Sequence, residues 1–196
     1  MLWLVVFVAG SAGGAVCDQI HVQSGVLAYP HPWLADQAWW VAPQFGAGLV
    51  AVFAAARSFV AGDPRRPGRG AVITNGAWFL GAYAASGWWH GHPVGLAIGY
   101  GVAWLARVAV RPDAGRVAVF SVLLALGGVL YEGTLAGAGG FHYAHPDFYH
   151  VPLWLPGIYL HGGPLALTVA RLVGRGALPA HPVERGGGQA QAIEPG

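Results

Sequence analysis

The chain contains no lysine, and only 9% of its 196 residues are charged. A soluble globule of this size needs more polar surface than that, so a water-exposed fold is excluded. Cysteine occurs once, at Cys17, which rules out an intramolecular disulfide and any cysteine-based metal centre. Basic runs interleaved with aromatic residues are missing, and the net charge is only +2, so no nucleic-acid surface is offered. A nucleophile elbow, a P-loop and a dinucleotide-binding fingerprint are absent too. Gly127-Gly128 and Gly139-Gly140 lack the strand context such motifs need.

What is there is 55% hydrophobic, and its basic residues are patterned. Arg57, Arg65, Arg66 and Arg69 follow the second apolar stretch, Arg107, Arg111 and Arg116 the fourth, and Arg171, Arg175 and Arg185 the sixth. The alternate connections, 18–37, 88–93 and 132–151, carry no arginine. Cationic loops stay on the cytoplasmic face during insertion, so the pattern predicts six spans with both termini in the cytoplasm. The Arg-only, Gly- and Ala-rich usage also resembles that of a high-GC bacterial genome.

The N-terminus is not read as a signal peptide. Residues 2–9 are apolar, but no positive region precedes them and Val16 spoils a lipoprotein site before Cys17. A short first span over 2–16 is expected instead. The second covers 37–56, twenty residues or about 30 Å of helix. The uncharged stretch 70–106 is too long for one crossing, and His90-Gly91-His92-Pro93 breaks it into spans near 71–88 and 94–110. The fifth runs from Val117 to Glu132 and the sixth over 151–170. Trp33, Trp39, Trp40, Trp88, Trp89 and Trp154 then fall at the outer interface, where indoles are favoured. Residues 176–196 have no apolar periodicity and read as a disordered cytoplasmic tail, leaving 1–175 as the transmembrane domain.

Glycine is abundant, 32 residues, much of it inside the spans. Small residues permit close helix packing in lipid, and they also leave room for a lipid between helices. Seven histidines, His21, His31, His90, His92, His142, His145 and His150, lie on the outer side near Asp18, Asp36, Glu132 and Asp147. The groups His90-x-His92 and His142-x-x-His145-x-Asp147-x-x-His150 offer imidazole and carboxylate ligands, but neither matches a metal signature, and interfacial and loop-structuring roles are the preferred reading. Glu132, at membrane depth, either snorkels to the outer headgroups or anchors a ligand head. His161, deep in the sixth span, is expected to hydrogen-bond a neighbouring helix. A small transporter is disfavoured, because no inverted repeat or pair of broken charged helices is evident.

Several motifs together resemble the INSIG (insulin-induced gene) family. Ala38-Trp39-Trp40-Val41-Ala42-Pro43 with Gly46 is similar to its A-W-W-V-P-P…G motif. The stretch from Phe141 through Pro146-Asp147-Phe148, Trp154-Leu155-Pro156 and Gly162-Gly163 is similar to Y-x-x-P-D-F…S-W-L-P…G-G. Gln19-Ile20, Tyr29-Pro30 and Tyr131-Glu132-Gly133 fit in order, so the resemblance covers residues 1–172. It implies a non-enzymatic membrane protein, resident in the endoplasmic reticulum in animals, that binds an oxysterol and retains sterol-sensing partners. Phe79 in Phe79-Leu80-Gly81 resembles a sterol-lining phenylalanine, and Asp113 falls where the family has a partner-binding aspartate. The family's fourth-span glutamine is replaced by Leu96, which costs a sterol hydroxyl about 1–3 kcal/mol of hydrogen bonding.

The resulting expectation is an all-α polytopic protein of six transmembrane helices that holds a neutral lipid, diacylglycerol or sterol-like, in a central cavity. Ligand contacts are assigned to Phe79, Gly95, Leu96, Gly99 and Glu132, and a membrane-protein partner contact to Asp113. No catalysis, cofactor or metal is assigned. The membrane is a bacterial inner membrane if the source is bacterial, and homo-oligomerisation is left open. The alternative is a membrane enzyme of lipid or isoprenoid metabolism using His90, His92, His142, His145, Asp147 and Glu132. As a turn residue, Asp113 would pair with Arg111 or Arg116 at the surface, so Asp113→Ala would leave folding unchanged.

Overall fold

Each uncharged stretch becomes a helix in the computed structural model, which describes residues 1–173. The tail expected at 176–196 lies outside the described residues. The helices are α1 (Leu2–Gln23), α2 (Val41–Phe59), α3 (Arg69–Trp89), α4 (Pro93–Ala109), α5 (Ala114–Gly137) and α6 (Leu155–Val173). Pro93 sits in the first turn of α4, where its missing N–H costs nothing. Three helices, α1, α2 and α5, are long and apolar enough to cross a membrane, and α4 is a shorter apolar helix. Helix α6 is the central one. It packs on α2, α3, α4 and α5, so its faces meet protein rather than lipid.

Two expectations need correction. Helix α1 extends through Gln23 rather than stopping near residue 16, which puts Asp18 and His21 inside a helix, buried at 5% and 3% exposure. The architecture also includes two short strands, β1 (Leu27–Ala28) and β2 (His142–Tyr143), paired antiparallel with Leu27 opposite Tyr143.

Those strands belong to a direct repeat that the sequence reading missed. The unit α1–β1–α2 recurs as α5–β2–α6, with the ends of the first helices and both ends of the second helices 114 positions apart. Helices α1 and α5 end at Gln23 and Gly137, and α2 and α6 begin at Val41 and Leu155. Both first helices close on a left-handed glycine, Gly25 (φ 69°) and Gly139 (φ 81°). At each, the glycine N–H and the one after it bond back into the last turn, Gly25 to Val22 and Val26 to His21, Gly139 to Ala136 and Gly140 to Leu135. Both connections then make a two-residue hairpin at consecutive positive-φ residues, Ala35-Asp36 and Tyr149-His150. Gly14 of α1 abuts Phe45 of α2, and Gly128 of α5 abuts Tyr159 of α6; neither glycine has room for a β-carbon. Few identities survive between the halves, so the repeat is visible in the geometry and faint in the letters.

On the arginine-bearing side, two carboxylates tie four segments together. Asp63, after α2, lies 2.8 Å from Arg65 Nε, 2.6 Å from Arg116 Nη1 and 2.8 Å from Arg171 Nη2. Asp113, in the turn before α5, lies 3.0 Å from Arg111 Nε, and the same Arg171 Nη2 is 2.8 Å away. Both carboxylate side chains are 1–2% exposed. The expected surface pairing of Asp113 is therefore corrected: its partners include Arg111 as foreseen, but the carboxylate is enclosed and it reaches the last turn of α6.

Hydrogen bonding from Arg65 dominates at Asp63 and holds its carboxyl well below the usual range against the opposing effect of burial. At Asp113 burial is the largest influence and pushes upward, but Arg111 and Arg171 carry the carboxyl below its ordinary value. Groups depressed on folding stabilise above their unfolded pKa of about 4 and lose that contribution as pH falls toward the folded values. The contribution of this ionic tie, read as the difference in melting temperature between wild type and Asp113→Ala in detergent, should thus be constant from pH 7 to about 5 and shrink below about 4. Asp113→Ala leaves Arg171 facing a half-dismantled site and should cost about 3 kcal/mol, measured by thermal or denaturant unfolding.

Candidate functional site

Between α3 and α4 the bundle is not closed. Gly81 of α3 and Gly95 and Gly99 of α4 each face open space, where an added β-carbon would meet nothing within 4 Å. The result is a groove of about 670 Å³ whose walls also include Ala82, Ala85, Leu96, Tyr100 and Ala103. Its ends differ. Trp89 and His92 stand at the α3–α4 turn, and Trp78 and His161 at the end toward the arginines.

Of the residues assigned to a ligand, Gly95, Leu96 and Gly99 are brought together on this groove. Phe79 is not. It lies on another face of α3, edge-on to Tyr83 with ring centroids 5.2 Å apart, and fills the space above Gly162 of α6. Glu132 is also elsewhere. It neither snorkels nor meets the groove, but turns inward and accepts hydrogen bonds from the Tyr143 and Tyr159 hydroxyls.

The repeat explains that environment. Asp18 is the equivalent of Glu132, and Tyr29 the equivalent of Tyr143. The Tyr29 hydroxyl lies 3.0 Å from each Asp18 oxygen, and Gln37 Nε2 donates to Oδ2 at 2.8 Å. Tyr29 and Tyr143 lie outside the helices; burial first, then the facing carboxylate, raises both phenols above their usual range. They remain protonated and can donate. Nearby, His21 Nε2 is 2.8 Å from Ser86 Oγ. The Ser86 hydroxyl points its hydrogen at the Ala82 and Tyr83 carbonyls, so the imidazole N–H is the donor. His21 is a core residue and not an interfacial one.

The outer histidines do not converge. His90 stacks on His145 with ring centroids 5.9 Å apart, His92 faces the groove, and His142 is exposed opposite Ala28. Asp147 accepts from the Leu153 N–H and shapes the loop. Among the described residues no three His, Cys, Asp or Glu side chains are placed to hold a metal.

A polar network that the sequence reading missed lies at the groove's arginine end. Arg107 of α4 turns inward: Nη1 is 2.7 Å from His161 Nδ1 and Nη2 is 2.7 Å from Asn75 Oδ1. Asn75 in turn donates to Thr168 of α6 at 3.0 Å. His161 thus bonds a neighbouring helix as expected, but Arg107 had been legible only as a topology marker.

Replacing Glu132 with Leu strands two phenolic hydroxyls in the interior. It should lower stability by about 1–3 kcal/mol per hydroxyl, read from thermal unfolding in detergent. Glu132→Gln, which retains an acceptor and a donor at the same place, should recover more than half of that loss.

No protein-family model and no curated protein sequence matches the chain. Two solved structures do, both of the mycobacterial Insig homolog MvINS, from Mycobacterium vanbaalenii. One, a cross-linked trimer, is 22% identical and superposes with a TM-score of 0.68 over 87% of this chain and 92% of its own. The other is 21% identical over the same shares. The apolar helices and this likeness over most of both chains identify an integral membrane protein with the INSIG-like fold.

Proposed function

We propose that the chain is a six-span, non-enzymatic membrane protein, with both termini in the cytoplasm, that holds a membrane lipid between α3 and α4. One observation carries the reading. The glycines that line the groove, Gly81, Gly95 and Gly99, are unfilled, whereas Gly14, Gly46, Gly128 and Gly163, where the paired helices touch, are packed against side chains. A groove of about 670 Å³ is of ligand size. Its apolar wall suits the acyl part of a neutral glycerolipid such as diacylglycerol. A sterol-like ligand fits the wall less well, because Leu96 offers its hydroxyl no partner.

The arginines among the described residues lie in or after the last turns of α2, α4 and α6 and not in the alternate connections, which supports the cytoplasmic placement of that end of the bundle. A bacterial inner membrane is the proposed location, in keeping with the composition and with a mycobacterial structural neighbour. That neighbour was crystallised as a cross-linked trimer, and a homotrimer is proposed here too. In a scaffold or lipid-sensing role, a membrane-protein partner would meet Asp113 through the arginines it orders, since its own carboxylate is enclosed.

Photocrosslinking with a diacylglycerol probe tests the lipid site. Labelling should be competed by unlabelled diacylglycerol and fall about tenfold in Gly95→Leu or Gly99→Leu, whose new side chains enter the open groove. Because nothing clashes, both variants should fold at least as stably as wild type, gaining about 0.5–1 kcal/mol from improved helix propensity. Undiminished labelling in folded variants would remove the groove as the lipid site.

A further inference from the structure

The groove ends beside a positive charge that no carboxylate among the described residues answers. Arg65, Arg111, Arg116 and Arg171 all pair with Asp63 or Asp113. Arg107 has no carboxylate among the described residues. Its partners are the neutral Asn75 oxygen and His161 Nδ1, which must be unprotonated to accept from a guanidinium. Its Cζ also lies 4.8 Å from the Trp78 ring centroid. These are dipole and π contacts, and they engage two of the five guanidinium N–H donors.

The direction of the side chain is the second point. Arg107 is in the last turn of α4, from where an arginine ordinarily extends outward to the headgroups. Here it reaches back along the bundle to His161, in the middle of α6. His161 and Trp78, both in contact with Arg107, form the end wall of the groove. The apolar channel thus ends on Trp78 and His161 with the half-buried Arg107 guanidinium in contact with both, and a cation in low dielectric is strongly favoured by an anion.

We propose that the α3–α4 groove is also a site for an acidic phospholipid, with its phosphate on Arg107 and an acyl chain running past Gly99 and Gly95. The inference rests on the groove being lipid-occupied and adds a charge requirement at one end. A phosphate is the anion that the membrane itself supplies beside an arginine at a helix end, and its oxygens suit the planar guanidinium fork. Diacylglycerol and the acidic lipid would compete for the same wall, so occupancy would report their ratio.

The test uses the full chain in neutral detergent with photoactivatable phosphatidic acid, and photoactivatable diacylglycerol in parallel. In wild type, unlabelled phosphatidic acid should displace the acidic probe at least tenfold better than phosphatidylcholine does. Arg107→Gln should cut phosphatidic acid labelling about tenfold and leave diacylglycerol labelling within about twofold. Arg107→Lys, a point charge without the fork, should fall between, and Gly99→Leu should cut both about tenfold. If Arg107→Gln labels like wild type, or phosphatidylcholine competes equally, the anionic site is wrong while the groove reading stands. If oleate displaces the probe as well as phosphatidic acid does, the phospholipid assignment is overturned in favour of a carboxylate. The wild-type competition decides the matter even if the Arg107 variants fail to fold.

Discussion

Contact between a glycine on one helix and an aromatic ring on the next organises this molecule. Gly14 against Phe45 draws α1 onto α2, and the equivalent Gly128 against Tyr159 draws α5 onto α6. Helices in lipid gain nothing from hydrophobic exclusion, so packing of this closeness has to supply their association. The two hairpins are then joined through the β1–β2 pair on one side and the aspartate–arginine network on the other. Helices α3 and α4 also lock onto the central helix, Tyr100 against Gly157 and Phe79 against Gly162, but toward each other Gly81, Gly95 and Gly99 stay empty, and the groove is the consequence.

The interior contains few polar groups, and each is held in a small closed set. Asp18 with Tyr29 and Gln37, Glu132 with Tyr143 and Tyr159, and His21 with Ser86 link separate segments by bonds that water does not contest. Repetition of the acid–tyrosine pair in both halves is better explained as a structural pin than as a catalytic pair. The phenols are donors locked onto carboxylates, and neither acid faces the groove. Arg107 differs from these sets in having no countercharge among the described residues.

Much of the architecture was legible in the sequence. The arginine spacing and the uncharged stretches located six helices, and His90-Gly91-His92-Pro93 placed the turn between α3 and α4. Those signals are local: breakers and charge act on their own segment. The first helix was read short because Asp18 and His21 look like loop residues until Tyr29, Gln37 and Ser86 are brought alongside them. The repeat escaped for the same reason, since Asp18/Glu132 and Phe45/Tyr159 match in role and not in letter.

The sequence by itself determined the apolar helices, the side that bears the arginines and the supply of small residues. Which glycines are filled and which are left open was decided only by the tertiary structure. Gly14 and Gly99 are indistinguishable in the chain, each a small residue in an apolar run. One faces an aromatic ring from the neighbouring helix and the other faces space, because α2 was pulled close while α3 and α4 were not. Likewise Asp113 could be read as a turn residue, but only the approach of Arg171 from α6, on its other side, makes it part of the ionic tie. Arg107 carries the same charge as its neighbours in sequence. It points inward because His161 and Asn75, 54 and 32 residues away in the chain, offer it acceptors there.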